Sequence, residues 1–451
     1  MKIPRFLIAS PTSSCGKTTI TLSLIRTLAK RDYAVQPFKC GPDYLDTYLH
    51  TIAASSSEYK CHGINLDTFM ASKSHVMSLY HHYAAKADAI VVEGVMGLFD
   101  GAHKSQGSSA EIAMLLDLPT ILVVDAIGAA YSAAPLIYGF KNFDTELNLV
   151  GAIFNNVNTE AHYQFLKEAC EDIGVEALGY VPHNEAFEIK DRHLGLNIST
   201  DYDQDGIIEH MAEHVSKTVD IDRLLELCKG DIEHEITIER ASSKNKDLKI
   251  AVAKDDAFNF IYEQNLDTLR KYGTLEFFSP LTDSTLPETD FLYIAGGYPE
   301  LYVEQLSQNT AMREQIQAYC QNGGLCYGEC GGLMYLSNAI VDQNGKRMPM
   351  CSALNCETTM EHTKLTLGYR KIKLNDEKHT RELRGHEFHY SQIIGEKNLE
   401  NIATAKNARD MDIATGIYRH KNTFASYIHQ YWGEEESFVD FLFQQICEVQ
   451  K

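Results

Sequence analysis

Apolar residues along the chain fall into two kinds of run. The first kind is short and unbroken: Phe6-Leu7-Ile8-Ala9, Ala89-Ile90-Val91-Val92, Ile121-Leu122-Val123-Val124 and Val150-Gly151-Ala152-Ile153-Phe154. Unbroken runs bounded by polar turn residues predict strands covered on both faces, as in a parallel sheet. The second kind is spaced at helical intervals. In residues 20–30, Leu22, Leu24, Ile25 and Leu28 make one apolar side; residues 108–116 and 159–171 also read as helices, and 51–85 are mostly helical. Val35 to Cys40 adds a short strand, and Glu176 to Pro182 adds another. Strand and helix in regular alternation predict a doubly wound parallel sheet of the α/β class. Helices at 205–215 and 220–228 close this half.

The pattern breaks at a polar, lysine-rich run, Ser242 to Asp247, and starts afresh at Leu248-Lys249-Ile250-Ala251-Val252-Ala253. This predicts one domain over 1–240, a linker at 241–247 and a second domain over 248–451. The second domain reads as strands at Leu275 to Phe278, Phe291 to Ala295 and Leu325 to Tyr327, with helices at 259–269 and 310–322. Residues 360–395 look β-rich, and a last helix spans about 433–448. A chain of 451 residues is too long for one ordinary core, in keeping with this division.

Composition narrows the function classes. The chain is 44% hydrophobic and 23% charged, with a formal net charge of −21, which argues against a nucleic-acid partner but leaves room for a locally basic pocket for a small anion. No run reaches about eighteen apolar residues, so no membrane span is expected. The N-terminus enters a strand directly, without a signal-peptide pattern. The eleven cysteines form no CxxC pair, which favours a reducing cytoplasm over a disulfide framework or a zinc or iron–sulfur site.

Several places in the first half carry candidate chemistry. After the first strand, Ser13-Ser14-Cys15-Gly16-Lys17-Thr18-Thr19 ends as a P-loop does: amides around phosphate, Lys17 on the β/γ-phosphates and Thr18 on Mg²⁺. Pro11 stands near the usual first glycine, and an ordinary capped helix start is the competing reading. Asp43, in the turn Gly41-Pro42-Asp43, and Glu93, at the end of a buried strand, are candidate metal-side carboxylates. Gly94 to Gly101 is a glycine-rich loop with a further carboxylate, Asp100. Asn155 stands where a side-chain amide reads an adenine edge or caps the strand. Arg192 and His193 suit an anionic group, although a basic surface turn explains them as well.

In the second half, Gly328-Glu329-Cys330-Gly331-Gly332 reads as a sharp strand-to-helix turn. Such a turn would hold the Cys330 thiol exposed beside helix N-terminal amides, which lower a thiol pKa and supply oxyanion donors. A flexible turn with a buried cysteine is the plainer reading. The strand-to-turn segment Gly296-Gly297 is a further place where amides can face a pocket. A thiol nucleophile needs a base, and His386, His389 and His429 are all candidates; sequence spacing does not choose among them.

Taken together, these segments resemble the glutamine-dependent amidotransferase family of the cobalamin pathway over nearly the whole chain. The resemblance rests on Ile8-Ala9-Ser10-Pro11 with Gly16-Lys17-Thr18-Thr19, on Lys39-Cys40-Gly41-Pro42-Asp43-Tyr44-Leu45-Asp46, on Asn65-Leu66-Asp67 and on Glu93-Gly94-Val95-Met96-Gly97-Leu98-Phe99-Asp100-Gly101. It continues through Arg192-His193-Leu194-Gly195-Leu196, Gly296-Gly297-Tyr298-Pro299-Glu300, Glu329-Cys330-Gly331-Gly332-Leu333-Met334 and Ala425-Ser426-Tyr427-Ile428-His429. Ser14 departs from the glycine usual there.

The resemblance implies an ATP-binding domain like that of dethiobiotin synthetase, followed by a class I glutamine amidotransferase domain. It implies Cys330 as nucleophile, His429 as its base, and the amides of Gly297 and Gly331 as oxyanion donors. Other class I members carry a glutamate two residues after this histidine; Tyr431 stands there, so a Cys–His dyad is expected. Tyr44 and Leu45 are implied to orient a macrocycle, and Asp100 to place substrate or ammonia. The implied reaction turns the a- and c-acetate carboxylates of cobyrinate into amides, with ATP, Mg²⁺ and L-glutamine, in a monomer or homodimer. The same chemistry on hydrogenobyrinate or Ni-sirohydrochlorin is the nearest alternative. A non-catalytic binding or regulatory protein on this fold would be expected to lack Lys17 or Cys330.

Overall fold

The computed structural model describes residues 2–55, 61–184, 203–232, 247–376, 382–395 and 399–449. The chain divides into two compact units, Met1–Glu239 and Arg240–Lys451. Most of the expected linker, 241–246, lies outside the described residues, and so do Arg192 and His193.

The first unit alternates strand and helix: β1 (Lys2–Ala9), α1 (Lys17–Lys30), β2 (Val35–Cys40), α2 (Tyr44–Ala54), β3 (Ile64–Leu66), α3 (Lys73–Ala84), β4 (Ala89–Glu93), α4 (Ser109–Leu115), β5 (Thr120–Asp125), α5 (Ala133–Phe143), β6 (Leu149–Asn155), α6 (Glu160–Ile173) and β7 (Glu176–Val181). Two helices follow, α7 (Gln204–Val215) and α8 (Ile221–Leu227), then the short strand β8 (Lys229–Asp231). The strands lie in the order β3-β2-β4-β1-β5-β6-β7, all parallel, and β8 runs antiparallel to the start of β1. The unbroken apolar runs have this cause: β2 and β4 are buried at every residue and β1 at all but its first. Strand order turns outward in both directions from β1, so the loop after β1 opens at the switch point where ligands sit in such sheets.

Side-chain ties hold the helices around α1. Arg26 on α1 donates from Nε to Ala53 O (3.1 Å) at the end of α2, and its Nη2 meets Asp205 of α7 at 2.5 Å. Asp43, Ser72, Ser108 and Thr159 cap α2, α3, α4 and α6 through side-chain oxygens that accept first-turn N–H groups.

The second unit begins with β9 (Leu248–Ala253), α9 (Glu263–Arg270), β10 (Gly273–Phe278), β11 (Phe291–Ile294), α10 (Val303–Gln308), α11 (Thr310–Gln321), β12 (Leu325–Glu329) and α12 (Gly331–Leu336). Its main sheet runs β10-β9-β11-β12, then the strands Thr423–Ser426, Tyr418–His420 and Glu400–Asn401; the pairs from β10 through Thr423–Ser426 are parallel. The β-rich stretch folds into smaller sheets. In one of them Thr366–Leu374 pairs antiparallel with Leu383–His389, which pairs in turn with His429–Gln430.

Two helix starts differ from expectation, and both differences trace to backbone pins. The helix expected from 259 begins at Glu263, because Phe260 N–H donates to Gly296 O (3.0 Å) in an isolated bridge. The last helix, Ser437–Val449, starts after 433 because Trp432 is fastened to α9: its N–H donates to Asn265 Oδ1 (2.7 Å) and its carbonyl accepts from Thr268 Oγ1 (3.1 Å). Among the described residues no helix is long and apolar enough to cross a membrane. The ten cysteines whose side chains are described are buried and form no disulfide.

Candidate active sites

In the first unit the loop after β1 carries the strain of a tight anion-binding turn. Ser14 sits at φ 61° and Gly16 at φ 90°. A Cβ on Gly16 would stand 2.2 Å from Asn155 Nδ2, and that amide donates to Cys15 O (3.1 Å). Asn155 thus braces the loop from the end of β6. Ser13 and Ser14 are exposed, Cys15 is buried, and Thr19 lies half-buried in the first turn of α1. A serine in the left-handed region costs about 1–2 kcal/mol, partly offset by the greater chain entropy of glycine. Ser14→Gly is therefore expected to raise stability by about 0.5–1 kcal/mol, read as a higher denaturant midpoint; an unchanged or lower midpoint would count against strain at this residue.

Lys17 folds back over the loop, donating from Nζ to Ser10 Oγ (2.7 Å) and to Met96 O (2.6 Å). Burial and the neighbouring Lys39 ammonium lower its pKa. Ile8 and Glu93 are register partners, so the Glu93 carboxylate at the end of β4 arrives beside the loop. Thr18 Oγ1 donates to Glu93 Oε1 (2.8 Å) and lies 3.4 Å from Asp46 Oδ1.

Of the two carboxylates expected beside Thr18, Glu93 lies on it. Asp43 instead uses Oδ1 to accept the N–H of Leu45 (3.1 Å) as the cap of α2. Asp46, one helical turn on, is the second carboxylate to reach Thr18. Tyr44 is half-buried, and Leu45 is buried rather than presented to solvent. Asp100 is exposed, and its Oδ2 accepts Gly97 N–H (3.1 Å), shaping the loop after β4.

Sequence reasoning gave no role to three residues in this cluster, Asp46, Lys39 and His50. Lys39 Nζ donates to Glu93 Oε1 (2.9 Å) and to Gly94 O (3.2 Å), and pairs with the Asp46 carboxylate. His50 Nε2 meets Glu93 Oε2 at 2.7 Å. The spacing held a signal: Asp43 is a natural N-cap residue, and Asp46 and His50 then fall four apart on one helix face. Burial would raise the Glu93 pKa, but the Lys39 ammonium and the His50 ring hold it well below the usual carboxylate range. Asp46 is pushed up, first by burial and then by Asp43 and Glu93. Burial would lower Lys39, yet Asp46 and Glu93 keep it above its ordinary value.

Among the described residues no three His, Cys, Asp or Glu side chains converge as a metal site. Thr18, Asp46 and Glu93 nonetheless form an all-oxygen set, and the Lys39 ammonium spans both carboxylates as a cation would. Such a set suits Mg²⁺, which is commonly held by one or two carboxylates with phosphate and water completing its shell.

In the second unit β12 runs into Cys330 at φ 49° and ψ −103°, and α12 starts at the next residue. This is a strained strand-to-helix elbow, the geometry that in hydrolases lifts a nucleophile out of a sheet. Cys330 N–H donates to Ser426 O (2.7 Å). The Gly296-Gly297 turn lies against the elbow: a Cβ built on Gly331 would stand 3.2 Å from Gly297 N. Gly297 itself has φ 155°, and a Cβ there would strike Ala257 O at 2.1 Å.

The thiol differs from expectation. Cys330 is 5% exposed, and burial, with the Glu300 and Glu329 carboxylates adding to it, pushes the thiol well above its ordinary value. The Gly331 amide opposes this without reversing it.

The three histidines separate clearly. His429 reaches the same glycine turn: a Cβ on Gly296 would stand 2.2 Å from its Cε1. Its ring stacks on Phe260 (centroids 4.0 Å apart) and faces His386 (5.0 Å), its register partner. Its Nδ1 lies 3.3 Å from Glu329 Oε1. Burial and then His389 push His429 down to about 3, so the ring is neutral near pH 7. His386 is lowered by burial and by His429, and its Nδ1 is 3.4 Å from the Tyr262 hydroxyl. His389 stacks on Tyr427 (3.9 Å), pairs through Nδ1 with Ser391 O (2.9 Å) and places Nε2 3.6 Å from Glu387. Glu387 is held down to about 2: burial would raise it, but hydrogen bonding to His389 and the Arg370 charge prevail.

Comparison with known proteins agrees with both halves. Residues 6–196 match the model of the CobQ/CobB/MinD/ParA nucleotide binding domain, and residues 249–437 match that of the CobB/CobQ-like glutamine amidotransferase domain. A cobyrinate a,c-diamide synthase of Caldanaerobacter subterraneus is 38% identical over 433 residues, covering 94% of each chain. That of Salmonella typhimurium is 37% identical over 447 residues and 95% of each chain. The Methanococcus maripaludis protein of that name is 38% identical over 409 residues, 86% of this chain and 88% of its own. A nucleotide-binding unit and a cysteine elbow in tandem, matched over nearly their whole length, place this chain in the cobyrinate a,c-diamide synthase family of glutamine amidotransferases.

Proposed function

We propose that this chain converts the a- and c-acetate carboxylates of cobyrinate to amides, using ATP and glutamine. The observation that carries the reading is the match to relatives named for this product along both units, in a chain that keeps Lys17, Thr18 and Glu93 together in one unit and Cys330 and His429 at one turn in the other.

A carboxylate is inert to ammonia near neutral pH and must first be activated. In the N-terminal unit the γ-phosphoryl group of ATP passes to a carboxylate oxygen, giving an acyl phosphate and ADP. Ammonia adds to the acyl carbon, the bond to the phosphate oxygen breaks, and the nitrogen gives up a proton. Each carboxylate consumes its own ATP and its own glutamine. Amides of Ser13, Ser14, Cys15 and Gly16 cradle phosphate, and Lys17 meets the developing charge. Thr18, Asp46 and Glu93 would hold Mg²⁺, which supplies charge neutralisation at the phosphates. Asp43 caps and so fixes the start of α2, which sets where Asp46 falls on the helix. Tyr44, Leu45, Arg192 and His193 are assigned to the macrocycle, and Asp100 to placing substrate or ammonia.

In the C-terminal unit His429 takes the Cys330 thiol proton as sulfur adds to the δ-carbonyl carbon of glutamine. The oxyanion faces the amides of Gly297 and Gly331. His429 then protonates the nitrogen, the carbon–nitrogen bond breaks, and ammonia leaves. Water hydrolyses the thioester, releasing glutamate and restoring the thiol. A free catalytic thiol and a need for ATP suit a reducing cytoplasm.

The test is direct. Purified protein with cobyrinate, glutamine, ATP and Mg²⁺ is expected to yield the diamide by mass spectrometry, with glutamate and ADP. An unchanged cobyrinate mass would sink the reading. Hydrogenobyrinate and Ni-sirohydrochlorin run alongside assign the macrocycle.

A further inference from the structure

Glu329 ends β12, immediately before the nucleophile, and its side chain is 2% exposed. A carboxylate this deeply buried is unfavourable unless its oxygens are occupied. Oε2 accepts the backbone N–H of Gln430 (3.2 Å), and Oε1 lies 3.4 Å from the Tyr293 hydroxyl. Oε1 also lies 3.3 Å from His429 Nδ1. That nitrogen is buried and has no aligned hydrogen-bond partner among the described residues. Catalytic contacts are commonly long or misaligned without substrate and tighten when it binds. The place two residues after His429 holds Tyr431, whose ring packs on Tyr262 (5.7 Å), so no carboxylate comes from there.

We propose that Glu329 is the positioning carboxylate of the glutaminase site: it accepts a hydrogen bond from Nδ1–H of His429, fixes the ring and its tautomer, and leaves Nε2 to take the Cys330 proton. This rests on the reading of the C-terminal unit as a glutaminase. The role acts through His429, as the buried carboxylate of a Ser-His-Asp triad does, but from the residue preceding the nucleophile.

The pair titrates in a crowded setting. Tyr293 and Tyr327 flank Glu329; His386, Glu387 and His389 lie on the strand beside His429, and Arg370 neutralises Glu387. Burial raises Glu329 to about 8. Below that pH the carboxyl keeps its proton and offers it to Nδ1, which favours the Nε2–H tautomer and blocks the base. Above it, the ionised carboxylate favours Nδ1–H.

The experiment follows glutamate release from glutamine by the full-length chain, with an unchanged thermal melt as the control for folding. Wild-type kcat is expected to climb through about pH 8. In Glu329→Gln, which keeps an acceptor for Gln430 N–H, kcat is expected to fall about 10²-fold with little change in KM and to lose that climb. Glu329→Asp should recover part of kcat. A Glu329→Gln variant with wild-type kcat and pH profile, or with its loss confined to KM, would overturn the proposal. Wild-type protein labelled with ¹⁵N-histidine gives a test independent of variant folding: at pH 9, Nδ1–H on His429 supports the role and Nε2–H refutes it. Wild-type protein that releases no glutamate would instead withdraw the glutaminase reading, a failure distinct from that of the tautomer.

Discussion

Cys330→Ala is expected to cut glutamine-supported amidation by at least about 10⁴-fold, because no other group can form the thioester. Ammonium chloride supplied in its place is expected to support amidation at close to the wild-type rate. The asymmetry follows from where the chemistry sits. Cys330 and its elbow belong to one compact unit, and Lys17, Thr18 and Glu93 belong to the other. The substitution removes one sulfur atom from a backbone already held by the Cys330 N–H to Ser426 O bond, which alanine keeps. Product mass with each nitrogen source reads both arms. Loss of ammonia-supported synthesis as well would show that the thiol serves more than nitrogen release.

Lys17→Ala is expected to produce the complementary pattern. Amidation with either nitrogen source should fall by about 10²–10³-fold, the usual loss when a fixed charge is removed from a developing anion. Glutamate release measured on its own should persist. Lys39 cannot take over, since its ammonium is fixed by Glu93 and Asp46 and by Gly94 O (3.2 Å). Lys17, by contrast, is held by a hydroxyl and a carbonyl, Ser10 Oγ and Met96 O, and is available for exchange to phosphate. ADP release at the wild-type rate in Lys17→Ala would remove this lysine from the phosphoryl-transfer step.

The sequence was most legible where a rule acts within one element. Unbroken apolar runs marked the parallel strands because both their faces are covered, and a carboxylate ending such a run, Glu93, had to open onto the sheet's edge. The loop before Lys17 was legible for the same local reason. What stayed hidden depends on how distant elements meet. Asp43 and Asp46 are equally plausible acids until the start of α2 is known; once Asp43 caps it, only Asp46 turns toward Thr18. The choice among three histidines needs the register that sets His386 opposite His429 and the turn that brings Gly296 against the ring. Glu329 escaped because a partner for His429 was sought at a fixed distance after it, whereas the fold supplies a carboxylate from a strand about a hundred residues earlier. The burial of Cys330 was one of two readings that the turn left open, and its spacing could not decide between them, since its neighbours Glu300 and the Gly296-Gly297 turn come from another stretch of chain.

That burial has a consequence for the enzyme at rest. A thiol kept protonated is a poor target for peroxide or alkylating reagents, which react with the thiolate. On the proposed glutaminase reading, Cys330 is expected to stay chemically quiet until glutamine binds and His429 draws off its proton, which would curb idle hydrolysis. The burial that makes this cysteine look unreactive on its own is then expected to slow its oxidation.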